Sequence, residues 1–140
     1  MASVVYNSLK KLLLDKSIDF TNDTIKIALV TSSYTPNIDT HDFFNDITNE
    51  VSGTGYTAGG ATLASKATSV DTTDDEGVFD AADVTWSSST ITARGAVVYK
   101  DTGNAATSPL MCYIDFGSDK VSSAGDFTIA FNSEGLLNIN

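Results

Sequence analysis

Two stretches of this chain combine residue types that could do chemistry. Gly53-Thr54-Gly55-Tyr56-Thr57-Ala58 satisfies the G-x-G-x-x-G/A spacing, in which glycines let the backbone approach a dinucleotide pyrophosphate closely. That chemistry needs a strand that turns into a helix whose N-terminus faces the phosphate. Here Gly59, Gly60 and a strand-like run come next instead, and Gly60 leads into Ala61 and Thr62 rather than a Walker-type lysine. The expectation is a flexible glycine-rich loop that binds no nucleotide. The second stretch holds Asp71, Asp74, Asp75, Glu76, Asp80 and Asp83, hard oxygen ligands of the kind calcium takes. An EF-hand loop needs ligands at alternate positions before its glycine and a glutamate at its end, and this spacing does not supply them. The stretch reads as a solvated turn, with an irregular β-loop calcium site as the alternative.

Nucleophilic catalysis requires a base beside a serine, threonine or cysteine, and His41 is the sole histidine. It sits in Asp39-Thr40-His41-Asp42, whose polarity predicts a surface turn. Cys112, the single cysteine, falls on the apolar side of an alternating run and reads as a small buried hydrophobe. Glutamates occur only at positions 50, 76 and 134, so no carboxylate pair of the glycosidase type stands out. Arg94, the only arginine, lies mid-strand and is expected to pair with a carboxylate, at a subunit contact or within the chain. Trp86 and Tyr99 read either as core aromatics or as interface anchors. No catalytic, cofactor-binding or metal-ligating residue is assigned, and no enzymatic activity is expected.

The elements that would position these residues are mostly strands. Val5, Leu9, Leu12 and Leu13 recur at helical spacing, which predicts an N-terminal helix within residues 1–18, about three turns long and capped by Ser3 or Asn7. Ile25, Ile27 and Leu29 alternate on one face of a strand, and Pro36 breaks the extended run beyond it. A short helix or turn is expected over 40–47, with Asp39 or Thr40 as its cap. Strands are expected over 62–70, over 78–86 with an irregular middle, and over 90–100. In the last, Ile91, Ala93, Gly95, Val97 and Tyr99 share one face while Thr92, Arg94, Ala96 and Val98 share the other, the mark of a central strand. Leu110, Cys112, Ile114 and Phe116 alternate, a turn region covers 117–125, Phe127, Ile129 and Phe131 alternate again, and a last strand covers 136–139. Strands about ten residues apart, with no βαβ rhythm, predict a mainly β fold: an antiparallel β-sandwich or open barrel carrying an N-terminal α-helix. One domain over 1–140 is expected, the helix in 1–18 and the β part in 24–140.

Totals narrow the partners. A chain of 140 residues can bury roughly two thirds of its unfolded surface in one core. Eight basic against eighteen acidic residues give a net charge of −10, which repels nucleic acid and anionic lipid, so neither is expected as a partner. One cysteine allows no intrachain disulfide, consistent with a reducing compartment. Residues 1–16 interleave apolar with polar side chains and lack the apolar run of a secretory signal, so the Asn22-Asp23-Thr24 sequon is not expected to be glycosylated.

The blocks ALVTSSYTPN (28–37), NEVSGTGYTAGG (49–60), DVTWSSSTITAR (83–94), AVVYKDTG (96–103) and YIDFG (113–117) occur in this order along the chain. They resemble blocks of small structural proteins encoded by tailed bacteriophages and prophages. The resemblance covers most of the chain from Thr24 onward and brings no catalytic residue or cofactor with it. It implies a non-enzymatic virion protein assembled in the bacterial host cytoplasm. Small size and β content are similar to capsid decoration, or cement, proteins, which sit on the outer shell and brace major capsid subunits. The implied partners are the major capsid protein or other virion proteins, together with further copies of the chain in a homo-oligomer. A neck, tail or fibre-attached component is the alternative within that family, and a module binding a small ligand or glycan through the Tyr56 loop is the alternative of another class. The contact element is expected to be the N-terminal helix or the Gly53–Gly60 loop, each taken as an appendage to a self-sufficient sheet.

Overall fold

Alternation in Ile25, Ile27 and Leu29 does build a strand, β2 (Ile25–Val30), but Ala28 and Val30 are buried as well, so both of its faces are covered. The computed structural model, which describes residues 3–140, places β2 inside a five-stranded antiparallel sheet of order β1-β7-β6-β2-β3. The other members are β1 (Val4–Val5), β3 (Ala61–Thr62), β6 (Val84–Lys100) and β7 (Leu110–Ile129). A second antiparallel sheet has the order β4-β5-β8, from β4 (Ala67–Asp71), β5 (Glu76–Asp80) and β8 (Leu137–Ile139). The fold is mainly β and sandwich-like, with one N-terminal helix. The two sheets stay separate, so no barrel closes.

One face of the large sheet carries the main core, where Ile27, Leu29, Ala96 and Val98 meet Phe79 and Leu137 of the small sheet. The other face is covered by the 31–47 segment, through Tyr34, Ile38, Phe44 and Ile47 packed with Val30, Val97 and Tyr99. Two expected strands are each split because the chain changes sheets within them. Thr62 belongs to the large sheet and Ala67 to the small one, with Ser65 at φ +52 between them. Asp80 and Val84 likewise belong to different sheets, and Ala82 N–H donates to the Ala64 carbonyl (2.9 Å), tying the crossings together. The short helix or turn expected over 40–47 is one 3-10 turn, Phe44–Asp46. Its cap comes from inside the turn: the Asp46 carboxylate accepts Asp42 N–H (2.9 Å) and Phe43 N–H (3.0 Å).

Bulges correct the assignment of faces in β6. Ala93 pairs with Lys120 but Gly95 pairs with Asp115, so β7 carries extra residues opposite Arg94. At this irregularity the alternation along β6 slips, and Ile91 and Ala93 share the main core with Ala96 and Val98 while Val97 and Tyr99 face the other way. A second irregularity lies between Trp86 and Ser89. There the buried Ser89 hydroxyl lies 3.0 Å from the carbonyls of Trp86 and Gly125 and 2.8 Å from the Ser122 hydroxyl. These bonds replace ladder bonds that the bulge removes. The expected turn region 117–125 is part of β7, its glycine and polar residues absorbed as bulges, with Gly117 at φ +80 and Ala124 at φ +48.

The N-terminus departs most from a helix over 1–18. Residues 1 and 2 lie outside the described residues. Val4 and Val5, β-branched and facing the open edge of β7, pair with Tyr113 and Cys112 instead of joining the helix. Tyr6 N–H continues the ladder to the Met111 carbonyl (3.0 Å), and only then does α1 (Asn7–Leu14) begin, two turns long. Neither expected cap acts: Asn7 is already helical, and the Ser3 hydroxyl accepts Asp115 N–H (2.9 Å). Lys16, at φ +61, comes just after the helix end. Tyr6 and Leu9 are fully buried, so this segment belongs to the core and is not an appendage. Leu9→Ala is expected to cost about 2–5 kcal/mol in urea unfolding. Leu14→Ala, at a side chain that is 90% exposed, should stay within about 0.5 kcal/mol.

Candidate functional site

The glycine-rich loop is fastened rather than flexible. Tyr56 hydroxyl donates to Glu50 Oε1 (2.7 Å) and accepts Leu29 N–H (2.9 Å), while Gly59 N–H donates to the same Glu50 oxygen (2.6 Å). Tyr99 hydroxyl closes the arrangement on the Gly59 carbonyl (2.7 Å). Burial, then Glu50 beside it, raises the Tyr56 phenol well above its ordinary value. The glycines serve contact between backbones. A Cβ on Gly53 would lie 2.3 Å from the Thr90 carbonyl oxygen, and one on Gly60 would lie 1.9 Å from that of Ile27. Thr90 N–H donates to the Thr54 carbonyl (2.9 Å), so the loop covers the edge of β6 where β2 no longer pairs with it. Three of the loop's amides are committed within the chain, Tyr56 N–H to the Gly53 carbonyl, Gly59 N–H to Glu50 and Gly60 N–H to the Thr57 carbonyl. The spacing thus answers a packing requirement, and the loop is not an appendage either.

Of the six acidic residues, three converge. Carboxylate oxygens of Asp71, Asp74 and Glu76 lie within 4.8 Å of one another at the β4–β5 hairpin. Asp71 accepts Thr73 N–H (2.8 Å), which shapes the turn, and Glu76 accepts the Asn138 side-chain amide. Asp80 and Asp83 instead cap Ala81 N–H (2.9 Å) and Phe131 N–H (3.0 Å). The trio is a hairpin tip open to solvent, not a closed ligand cage.

His41 and Cys112 do not meet. Cys112 is buried in the main core, where burial pushes its thiol up to about 12. His41 is half-buried over the other face, its ring 5.7 Å from that of Tyr34. There Nδ1 lies 3.0 Å from the Tyr34 hydroxyl, and Asn37 N–H donates to it (3.3 Å). Tyr34 hydroxyl in turn lies 2.7 Å from that of Tyr6, so a polar chain ties the junction of β1 and α1 to the 31–47 cover. Sequence reasoning missed this linkage, because no spacing signal joins Tyr6, Tyr34 and His41. Arg94 does find a carboxylate: its Nε donates to Asp115 Oδ1 (2.9 Å) across the β6–β7 bulge. That guanidinium, with Gly117 N–H, holds the Asp115 carboxyl well below the usual range. Trp86 and Tyr99 are both core aromatics, Trp86 edge-on to Phe127 and Tyr99 stacked on Phe44 at 4.2 Å between centroids.

The larger concavities are open grooves. One of about 550 Å³ runs between β1 and the 129–138 segment, lined by Val5, Ile114, Phe116, Phe131 and Leu136. Another of about 560 Å³ lies between α1 and the 100–109 turn, beside Leu12, Phe43 and Pro109. Among the described residues, no helix is long and apolar enough to cross a membrane. Comparison of the chain with protein-family models, with curated proteins and with solved structures finds no match.

All five tyrosines, at 6, 34, 56, 99 and 113, are held above their ordinary value of 10, chiefly by burial. Tyr34 is pushed up to about 12. Its contribution to stability is complete below pH 10, where the phenol is neutral folded or unfolded, and is lost as pH rises toward 12, because the unfolded chain ionises first. Phenolate absorbance should therefore lag behind that of free tyrosine and then rise together with alkaline unfolding. A thiol reagent at neutral pH should leave Cys112 unmodified until denaturant is added.

Proposed function

We propose that this chain is a non-enzymatic structural protein of a tailed-phage particle, a capsid decoration protein that braces major capsid subunits. The supporting observation is where the phage-like blocks fall. Their distinctive residues hold the scaffold together: Tyr56 and Gly60 seat the loop, Trp86 and Tyr99 fill the core, and Arg94 closes a bulge. An enzyme's distinctive residues would be expected to converge on a cleft; those of a protein that works by contact build a shape. Bracing is additive. Each copy touches two or more shell subunits, and a contact of about 1,600 Å² repeated over the shell resists internal pressure even when each one is weak.

The test is copy number, by quantitative mass spectrometry of purified particles from the source host. Decoration requires copies on the order of hundreds per particle, whereas about six or twelve would move the chain to the neck or tail. Its absence from particles would overturn the assignment.

A further inference from the structure

The polar chain from the β1–α1 junction to the 31–47 cover has a direction. Asn37 N–H donates to His41 Nδ1 (3.3 Å), and a backbone amide can only donate, so Nδ1 offers its lone pair and the ring proton sits on Nε2. The Tyr34 hydroxyl, 3.0 Å from the same Nδ1, must then donate to it as well. That commits the Tyr34 proton, so the Tyr6 hydroxyl, 2.7 Å away, donates to the Tyr34 oxygen. Every proton of the chain points toward His41. Among the described residues, the Tyr6 hydroxyl and the Asn37 amide have no second partner.

A second proton on the ring is incompatible with this order. It would set Nδ1–H against Asn37 N–H and turn the Tyr34 hydroxyl round to accept. Tyr34 would then donate to Tyr6, whose own proton would be left without an acceptor in a fully buried place. Carboxylates stand on the other side of the ring's choice. Asp39 and Asp42 flank His41 in sequence, and Asp46, whose carboxyl is held below its ordinary value first by the Phe43 N–H, also feels the His41 charge. The remaining titratable groups at this corner are Tyr113 of β7, edge-on to Tyr34 at 5.8 Å between centroids, and Lys10 of α1. Lys10 reaches Asp39 only through the Asn7 side chain, by bonds of 3.1 and 3.0 Å. His41 itself is half-buried, so its ring can turn outward without opening the core.

We propose that His41 is a proton-operated latch on the 31–47 cover. As the neutral ring it accepts from Tyr34 and Asn37 and holds the turn that carries them. As the cation it leaves both and turns to the carboxylates of its own segment, so that the turn is released from the buried hydroxyls beneath it. Imidazole changes charge between about pH 8 and about pH 5, a span in which carboxylates stay ionised and phenols stay neutral. His41 is the sole histidine, so it is the one side chain placed to act in that span. The latch belongs to the isolated chain and does not depend on its place in a particle.

Proton–nitrogen NMR of the isotope-labelled chain tests it. At about pH 8 the His41 ring should be the Nε2–H tautomer, and at about pH 5 both nitrogens should carry protons. Over the same span, hydrogen exchange at the Asn37 and Tyr34 amides should rise about fivefold to tenfold beyond the change in intrinsic rate, the weight of one lost hydrogen bond. His41→Asn offers an amide oxygen where Nδ1 stood and cannot be protonated, so it should keep these amides protected at both values. His41→Ala should exchange at the higher pH as fast as the wild type does in acid. An Nδ1–H tautomer at the higher pH overturns the proposal, as does a ring still neutral at the lower one. So does protection that stays constant while the ring titrates, or that His41→Asn loses in acid by the same factor.

Discussion

Strands β6 and β7 pair along most of their length, seventeen and twenty residues respectively, and the other elements take their places from where they meet this ribbon. A flat ribbon of that length would present one face continuously to the core. The bulges at Ser87–Ser88 and around Arg94 prevent this by shifting which side chains face inward. Before the second bulge, Trp86, Ile91 and Ala93 supply one core while the opposite face stays polar. After it, Ala96 and Val98 continue that core while Val97 and Tyr99 start another. The ribbon is thus one-sided at one end and buried on both sides at the other. Only the two-sided end recruits β2 and β1 as neighbours.

Coverage of exposed edges arises from the same geometry. Where β2 stops, the glycine loop lies against the edge of β6, and its missing side chains are what permit the approach. Where β7 would be open at its start, Val4 and Val5 pair with it. The second face of the two-sided end is closed by the 31–47 segment, which has little regular structure and is anchored by buried hydroxyls and stacked rings. Irregular chain can be buried this way only when its polar groups are answered, and among the described residues no buried side-chain polar atom lacks a partner.

Polar residues with chemical potential are absorbed by these structural tasks. Glu50 organises a loop, Asp46 caps a turn, Asp115 holds Arg94 at the bulge, and Cys112 packs as a hydrophobe. The surface is left with charge and a few apolar side chains at its margins, Leu14 and Val70 among them.

The residue pattern by itself determined the class of the protein. Alternation over 25–30 and 110–116, closely spaced turn residues and one stripe of leucines were enough for a mainly β sandwich with an N-terminal helix, and a lone arginine mid-strand was enough to expect a carboxylate partner. These are local signals, set by periods of two or of about 3.6 residues. Tertiary structure alone decided the rest. Val4 and Val5 left the helical period because a strand more than a hundred residues away offered them hydrogen bonds. Faces in β6 changed sides at the irregularity between Ala93 and Gly95, where its pairing with the distant β7 shifts register, and no period within β6 records that point. The glycine loop proved to be rigid packing because its contacts, Thr90 and Ile27, are remote in sequence. In each case a partner distant along the chain outweighed the local preference, and no local period records where that partner will be.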